Sequence, residues 1–531
     1  MPDTFFIEFE PLGRRVHVRP GKTLLEAARS AGIGLASVCG GVGTCEECRV
    51  RLVSGSLTPP NLVEETALTN SDISAGLRLA CQAEPLSDVK LDIPPESLTA
   101  LQRLQLDGVE TRMEIKPALH THGAHGLAVD IGTTKLATYL VNLDTGQTIA
   151  RAGSMNPQIV YGEDVISRID YASREPDGAK KLQSILIKTL NEMLAGMCTE
   201  SQVSPAVVID AVLVGNTAMH HLLAGLPVEQ LGRSPFSPAM TSSISLPATI
   251  LGLNLGPGAL TYLPPVIAGY VGADHLAMLL ATKAWNPSQS IIALDIGTNT
   301  EISLIAGGKI TCCSCASGPA FEGAHIHEGM RAAPGAIERA RWHEGKIIWQ
   351  TIADQLPVGI CGSGILDVVS ALLNGGKIKS TGAFQINMEP GNGNEWVLVP
   401  AAQAGVGRDL VVTRKDIHEI QLAKSAIRSG VEILLKEAGL TSTNLDGFTV
   451  AGAFGTYLDP RSAVRIGMFP PLVMEKFHQV GNAAGVGAKQ MLLSLRKRQE
   501  AEQLAKQIEY IELTSRPDFT SLFMEHLAFK V

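Results

Sequence analysis

Apolar and polar positions alternate along this chain with two periods, and the elements follow from which period holds where. Near the start, Phe5-Phe6-Ile7-Glu8-Phe9 and Arg15-Val16-His17-Val18 predict two short strands around a Pro-Leu-Gly turn, and Thr23 to Ala28 opens a helix with an acid in its first turns. Leu182, Ile185, Leu186, Leu190 and Leu194 recur at helical spacing and predict a core helix over about Gly178 to Met197. Ile417, Ile420, Ala423, Ile427, Val431 and Leu434 predict an amphipathic helix from Asp416 to Glu437. The continuous apolar run Ala211 to Val214 predicts a buried strand.

One apolar pattern occurs twice. Ala128-Val129-Asp130-Ile131-Gly132-Thr133-Thr134-Lys135 and Ala293-Leu294-Asp295-Ile296-Gly297-Thr298-Asn299-Thr300-Glu301 each carry a strand-type run to an Asp. A Gly and hydroxyl residues then turn the chain into a further strand-like segment. Such a turn can set backbone N–H groups and hydroxyls around a phosphate. The Asp would hold Mg²⁺, usually through water. One such turn would mean little, but two copies predict duplicated lobes closing on one nucleotide.

Other glycine turns punctuate the strands. Gly215-Asn216-Thr217 and Gly481-Asn482 to Ala488 put small residues at the openings of helices, where another helix or a ligand can approach closely. Gly359-Ile360-Cys361-Gly362-Ser363-Gly364 opens another helix, and Gly447 to Gly455 reads as a strand ending in a glycine turn. Residues 232 to 268 are rich in Pro, Ser and Gly and predict surface wrapping. His220 and His221 lack a carboxylate or cysteine at ligand spacing, so structural roles are expected. Asp274 is expected to cap the apolar helix that follows it, with a place near the phosphates as the lesser reading. Cys312, Cys313 and Cys315 match no cluster spacing and are expected to be neutral, partly buried thiols.

Composition narrows the class. With 531 residues the chain should fold as two to four domains, and 45% apolar residues with 53 glycines fit a turn-rich α/β protein. A formal net charge of −8 without a basic run argues against nucleic acid. The first residues lack a basic region followed by an apolar one, and the longest apolar stretch, Leu263 to Trp285, holds two prolines and the pair Asp274-His275. No membrane span is expected. Nine cysteines, four of them in a tight pattern, with no export signal, point to a reducing cytoplasm and metal ligation.

The four are Cys39, Cys45 and Cys48 on a glycine-rich loop, and the distant Cys81. A loop of this kind lets backbone N–H groups point at the sulfurs of an inorganic cluster. The arrangement resembles the [2Fe–2S] ferredoxins of β-grasp fold, whose plant-type spacing is Cys-x₄-Cys-x₂-Cys with a remote Cys. Here the first gap is five, as in the adrenodoxin-like branch. A four-thiolate zinc site is the alternative, but only Cys45 and Cys48 make a Cys-x-x-Cys pair. Residues 96–124 follow as a connector. In it Leu98, Leu101, Leu104 and Leu106 make a short amphipathic pattern, while His120, His122 and His125 read as an exposed loop.

Taken in order, the Asp130 turn, the Gly215 connector, the Asp295 turn, the Gly452 turn and the Gly485 connector resemble the superfamily of actin, the sugar kinases and the heat-shock ATPases. Joined to a ferredoxin domain, the chain is similar to the reductive activators of corrinoid proteins, whose phrases Gly318-Pro-Ala-Phe-Glu-Gly323, Gly329-Met-Arg331 and Gly359-Ile-Cys-Gly-Ser-Gly364 it shares. Its last cysteine is Cys361, which excludes the branch with [4Fe–4S] clusters near the C-terminus. The resemblance implies an α/β fold with an N-terminal α+β domain. Its parts are a β-grasp ferredoxin over 1–95, the linker 96–124, and a two-lobed actin-like ATPase with lobes at 125–262 and 263–531.

It further implies an ATP-dependent enzyme that reduces cob(II)amide to cob(I)amide on a corrinoid protein of a methyl-transfer system. A low-potential electron donor would supply it, and it would act as a homodimer. Cys39, Cys45, Cys48 and Cys81 would hold the cluster, and Asp130 and Asp295 would position Mg²⁺ and water. Gly132, Thr133, Thr134, Gly297, Thr298 and Thr300 would surround the phosphates. Gly452, Ala453, Phe454 and Gly455 would face the adenosine, with Lys424 within reach of the nucleotide or, alternatively, solvated. Glu301 would orient the water or bond its own turn, and Ser314 and Ser317 are the candidates to face cobalt. A dehydratase activase, a small-molecule kinase with a ferredoxin domain, and a non-hydrolysing ATP-binding adaptor remain open alternatives.

Overall fold

Alternating burial along Phe5–Glu10 sets the first sheet, because its inward side chains must pack on something. The structure, a computed structural model, describes residues 4–33, 35, 48–94, 97, 114–162, 164–283, 288–323, 325–385 and 394–529. Cys39, Cys45 and the Leu98, Leu101, Leu104 and Leu106 pattern lie outside the described residues.

Five strands make the N-terminal sheet, in the order Arg14–Val18, Phe5–Glu10, Val89–Asp92, Arg49–Ser54, Leu77–Leu79. Phe5–Glu10 pairs antiparallel with its hairpin partner and parallel with Val89–Asp92, the mixed pattern of a β-grasp. The helix Leu24–Ser30 begins at a capping box: Thr23 Oγ1 accepts from the Glu26 N–H at 3.2 Å, and Glu26 Oε2 accepts from the Thr23 N–H at 3.0 Å. Its Leu24 and Leu25 join Ile7, Phe9, Val50 and Leu91 in one core, and Cys48 and Cys81 are buried in that core. A buried Arg78 guanidinium holds the Glu64 carboxylate in a two-pronged pair, at 2.6 and 2.9 Å, just ahead of Cys81.

Residues 1–103 form one compact unit together with 319–421 and 528–531. The inserted stretch contributes the hairpin Ala336–His343 and Lys346–Thr351, the short parallel strand Gly359–Ile360, the helix Gly362–Asn374 and the ribbon Glu395–Val399 with Leu410–Thr413.

The second unit, 104–318 with 422–527, holds two six-stranded sheets. In the first the order is Ile244–Pro247, Leu260–Leu263, Val208–Gly215, His125–Ile131, Lys135–Asn142, Thr148–Met155. In the second it is Phe477–Gln479, Gly447–Ala451, Ile291–Ile296, Thr300–Ala306, Lys309–Cys315, Ile508–Tyr510. Each Asp-bearing strand has an antiparallel pair of strands on one side and a parallel strand on the other. This is the duplication that the repeated pattern predicts.

The helices follow their periods. Gly178–Ser201 buries Leu182, Leu186, Leu190 and Leu194, and Arg414–Glu437 covers the amphipathic run. The apolar stretch from Leu263 becomes a strand end and the helix Ala273–Thr282, and no helix among the described residues is long and apolar enough to cross a membrane.

Candidate functional site

The site grows from the two turns. Asp130 is the last residue but one of the strand His125–Ile131, as Asp295 is of Ile291–Ile296, and in each turn the glycine N–H is used locally: Gly132 donates to Lys135 O at 3.0 Å and Gly297 to Asn299 O at 2.9 Å. Those bonds fix the turns and bring the duplicated hydroxyls together, with Thr134 Oγ1 and Thr298 Oγ1 3.4 Å apart.

Neighbouring asparagines hold the first turn in place. Asn156 donates to Gly132 O at 2.8 Å, and its own N–H donates to Thr134 O at 2.8 Å. Asn216 Nδ2 donates to Thr133 Oγ1 at 2.8 Å while its Oδ1 caps the next helix through the Met219 N–H. Since Thr133 accepts in that bond, its hydroxyl proton is left to point elsewhere. The buried Arg168 donates to Thr133 O at 2.5 Å, bracing the turn from behind.

Asn482 does the same for the acid. Its Nδ2 donates to Asp130 Oδ2 at 2.9 Å, and its Oδ1 accepts from the Gly485 N–H at 2.7 Å, capping the helix Ala483–Leu493. The carboxylate orientation and the helix start are therefore set by one side chain.

Four acids share this region. Asp295 pairs across the ladder with Glu301, and Glu301 with Ser314, so all three occupy one line across the second sheet. Asp274 is not the cap of its helix: Gly272 is, with no side-chain cap, and Asp274 lies in the first turn and accepts from the His275 N–H at 2.8 Å. A side chain at Gly272 would meet Asn216 Cα at 2.4 Å and Gly215 O at 2.5 Å, so only Gly lets this helix start against the Gly215 turn.

That approach gives the acids a common neighbour. Burial pushes the Asp130 carboxyl up to about 7, and the Asp274 charge adds to it. Asp295 and Glu301 are raised well above the usual carboxylate range, by burial first and then by the Asp274 charge. Asp274 is itself raised by burial. Asp130, Asp274 and Asp295 remain half-buried rather than sealed, so an oxygen-seeking cation arriving from solvent can reach them.

Opposite Asp295 is the adenosine candidate. The strand Gly447–Ala451 pairs Ala451 with Asp295 and passes into a short helix, Gly452–Tyr457, which contains Ala453, Phe454 and Gly455. Gly452 has φ +88°, and a Cβ there would come within 2.8 Å of Asp295 Oδ1 and 2.6 Å of Ile296 O. The missing side chain keeps space open beside the acid. Gln479 Nε2 ties this short helix down through Gly455 O at 2.6 Å and Leu458 O at 2.9 Å.

Several sequence candidates are committed to structural bonds. Thr300 is fully buried and shares a 2.8 Å hydrogen bond with Ser317, which is also buried. Lys424 is not solvated: it is buried, and its ammonium donates to His526 O in the last long helix, Phe519–Leu527. The Cys312, Cys313 and Cys315 thiols are fully rather than partly buried, and burial pushes each up, which keeps them neutral. His221 accepts from the Ala239 N–H at 3.1 Å, and burial lowers both His220 and His221. His120 and His122 are exposed beside Asp144.

Sequence reading gave no role to Asn156, Asn216 and Asn482, and only a minor one to Asp274. For Asn216 and Asn482 the signal was an Asn directly after a Gly at a strand-to-helix turn.

Comparison with known proteins adds the lineage. The chain matches the family models "2Fe-2S iron-sulfur cluster binding domain" over residues 7–86, "RACo middle region" over 125–285 and "C-terminal domain of RACo the ASKHA domain" over 289–531. It is 29% identical, over 98% of both chains, to the corrinoid activation enzyme RamQ of Eubacterium limosum. It is 25% identical to a [Co(II) methylated amine-specific corrinoid protein] reductase of Methanosarcina barkeri, covering 76% of this chain and 77% of that one. A solved structure titled a reductive activator for corrinoid, iron-sulfur protein matches with 30% identity and a TM-score of 0.72, covering 99% of this chain and 98% of that chain.

Proposed function

The chain belongs to the RACo family, the reductive activators of corrinoid proteins, and from that premise we propose that it uses ATP to return a partner's cob(II)amide to cob(I)amide. The observation that carries this reading is the meeting of two duplicated turns, at Thr134 and Thr298, beside half-buried acids in a chain that also carries a ferredoxin domain. A ferredoxin domain supplies single low-potential electrons, and a two-lobed ATPase supplies a nucleotide-dependent change of conformation.

The chemistry explains why both are needed. A plant-type cluster delivers its electron near −400 mV, at roughly that potential, and cob(II)amide is harder to reduce. A one-electron gap of ~100 mV costs ~2.3 kcal/mol, at about 59 mV per tenfold change in equilibrium. Closing of the two turns on the nucleotide would favour the state of the complex in which cobalt loses or exchanges an axial ligand. The bias suffices if the nucleotide discriminates between the two states by more than the gap.

The residues fit the groups assigned to them. Beyond burial, the Asp274 charge raises the proton affinity of Asp130 and Asp295, and the Asp130 charge adds to that of Asp295; such a set of hard oxygen donors suits Mg²⁺ held partly through water. Asn482 would fix Asp130 toward that ion. Thr133, Thr134 and Thr298 would donate to phosphate oxygens, Gly452 to Gly455 would lie along the adenosine, and Glu301 would orient the attacking water. Cys39, Cys45, Cys48 and Cys81 would hold the [2Fe–2S] cluster, which when bound supplies the electron. The proposal extends to a low-potential electron donor, a homodimer and a cytoplasmic setting.

The test is to mix the reduced protein with a cob(II)amide-loaded corrinoid protein and ATP while following the cobalt absorbance. ATP-dependent formation of cob(I)amide is expected. Its absence with every corrinoid partner tried would overturn the reading.

A further inference from the structure

Two phrases of the sequence, Gly329-Met330-Arg331 and Gly359-Ile360-Cys361, are left without a part in the nucleotide site. In the structure they meet the ferredoxin residues across a seam inside the first unit. Arg331 Nη1 donates to Glu10 Oε2 at 2.6 Å and also to Pro11 O, and the Arg331 N–H donates to Leu12 O at 3.3 Å. Arg14 crosses the other way. Its Nη2 donates to Val358 O at 2.8 Å and its Nη1 to Glu328 O and Gly329 O at 3.3 Å each, while its Nε is held by Ala31 O at 2.6 Å.

All of these charges are out of water. Glu10, Arg14, Glu328 and Arg331 are buried, and the Glu328 carboxylate is also engaged by Arg408 Nη2 at 2.9 Å. Glycines make the room. A Cβ at Gly359 would lie 2.5 Å from Arg14 Nη1, and one at Gly32, where φ is +71°, would lie 2.9 Å from Val358 Cβ. Burial lowers the Arg14 guanidinium only to about 10, so it stays charged at neutral pH.

Among the described residues, the apolar clusters on the two sides are separate. The ferredoxin core draws on residues from Ile7 to Ile93, while Met330, Ala333, Ala336, Ile352 and Cys361 form a small cluster of their own. A fused fold would share one core. Two cores joined by crossed ionic side chains describe a docked pair, and charges that regain water on separation make such a contact releasable.

We propose that residues 319–421 are a docking platform for the ferredoxin domain of the same chain, specified by Arg331 reaching into that domain and Arg14 reaching into the platform. The electron carrier then has one defined parked pose. This goes beyond the proposed reaction, and the cobalt chemistry can fail without affecting it.

The test uses the full chain with its cluster loaded and reduced, and a nitroxide on Lys346→Cys, an exposed platform position. Pulsed electron paramagnetic resonance reads the cluster-to-nitroxide distance. A single narrow peak is expected for this protein and its loss for Arg331→Met, with cluster absorbance and tryptophan emission unchanged. Tryptophan emission reports the platform fold because Trp342, Trp349 and Trp396 lie in it. Should Arg331→Met alter that emission, Arg14→Met, which leaves the platform sequence intact, is read instead. A broad distribution before any substitution, or a narrow peak that survives the variant so chosen, overturns the proposal.

Discussion

Asp295 is where the two sheets, the Gly452 turn and the neighbouring acids converge, so its removal should be felt in nucleotide use and nowhere else. For Asp295→Ala, the ATP dependence of corrinoid reduction should vanish while the cluster absorbance stays intact; a lost cluster would mean the modules depend on each other structurally. Asn482 acts at one remove, through Asp130. Its replacement by Ala should lower ATP-dependent activity by about 10–100-fold, as for residues that orient a metal ligand. The acids also make a pH prediction. Asp130 titrates near 7 in the folded protein, above its ordinary value of about 4. Between those values the folded state keeps a proton that the unfolded chain has released, so nucleotide-free stability should fall as pH rises through this window. On the proposed reading Mg²⁺ would replace that proton. Its stabilising shift in melting temperature should be larger at about pH 8 than at about pH 5.5, and equal shifts would contradict an acid-bound ion.

Among the elements, the helix Ala483–Leu493 shows how small residues decide geometry. Asn482 starts it at Asp130, and Gly487 lets it pass so close to the helix Ala273–Thr282 that a Cβ would lie 2.1 Å from Ala277 O. The clash is with backbone, which cannot rotate away. Gly487→Ala should destabilise the protein by ~1–3 kcal/mol, the usual cost of overpacking, read as a lower denaturation midpoint. Because the two helices carry Asp274 and Asn482 at their starts, nucleotide affinity should weaken with it; a variant with native stability and affinity would show that the crossing does not position the site. The amphipathic helix Arg414–Glu437 teaches the opposite lesson. Its period was plain, but Lys424, at the edge of the apolar face, turned out to be buried against the backbone of the last long helix. A side chain at such an edge takes the environment that a distant segment brings.

For the molecule as a whole, ATP hydrolysis should release phosphate steadily without a phosphorylated small molecule appearing. A phosphorylated product would favour the kinase alternative, and binding without release would favour the adaptor. Much of this organisation was legible in the chain. The repeated Asp-Ile-Gly-Thr pattern implied duplicated lobes, and the cysteine spacing implied a ferredoxin domain, which the family match over 7–86 supports. Both are local patterns, in which turn stereochemistry and ligand spacing act within a few residues. What sequence could not supply was pairing across distance. That Asp274 faces Asp130, Asp295 and Glu301 depends on a helix start packed against the Gly215 turn. That Asn482 holds Asp130 depends on two segments far apart in the chain. That residues 319–421 group with the ferredoxin domain, with Arg14 and Arg331 crossing between the two, is announced by no local pattern in the chain. The sequence by itself determined the ferredoxin module and the duplicated strand-and-turn pattern, because those are written in short-range spacing. Only the tertiary structure decided which acids share a field and which charges are buried together, because both depend on where the folded chain brings distant residues to within a few ångströms.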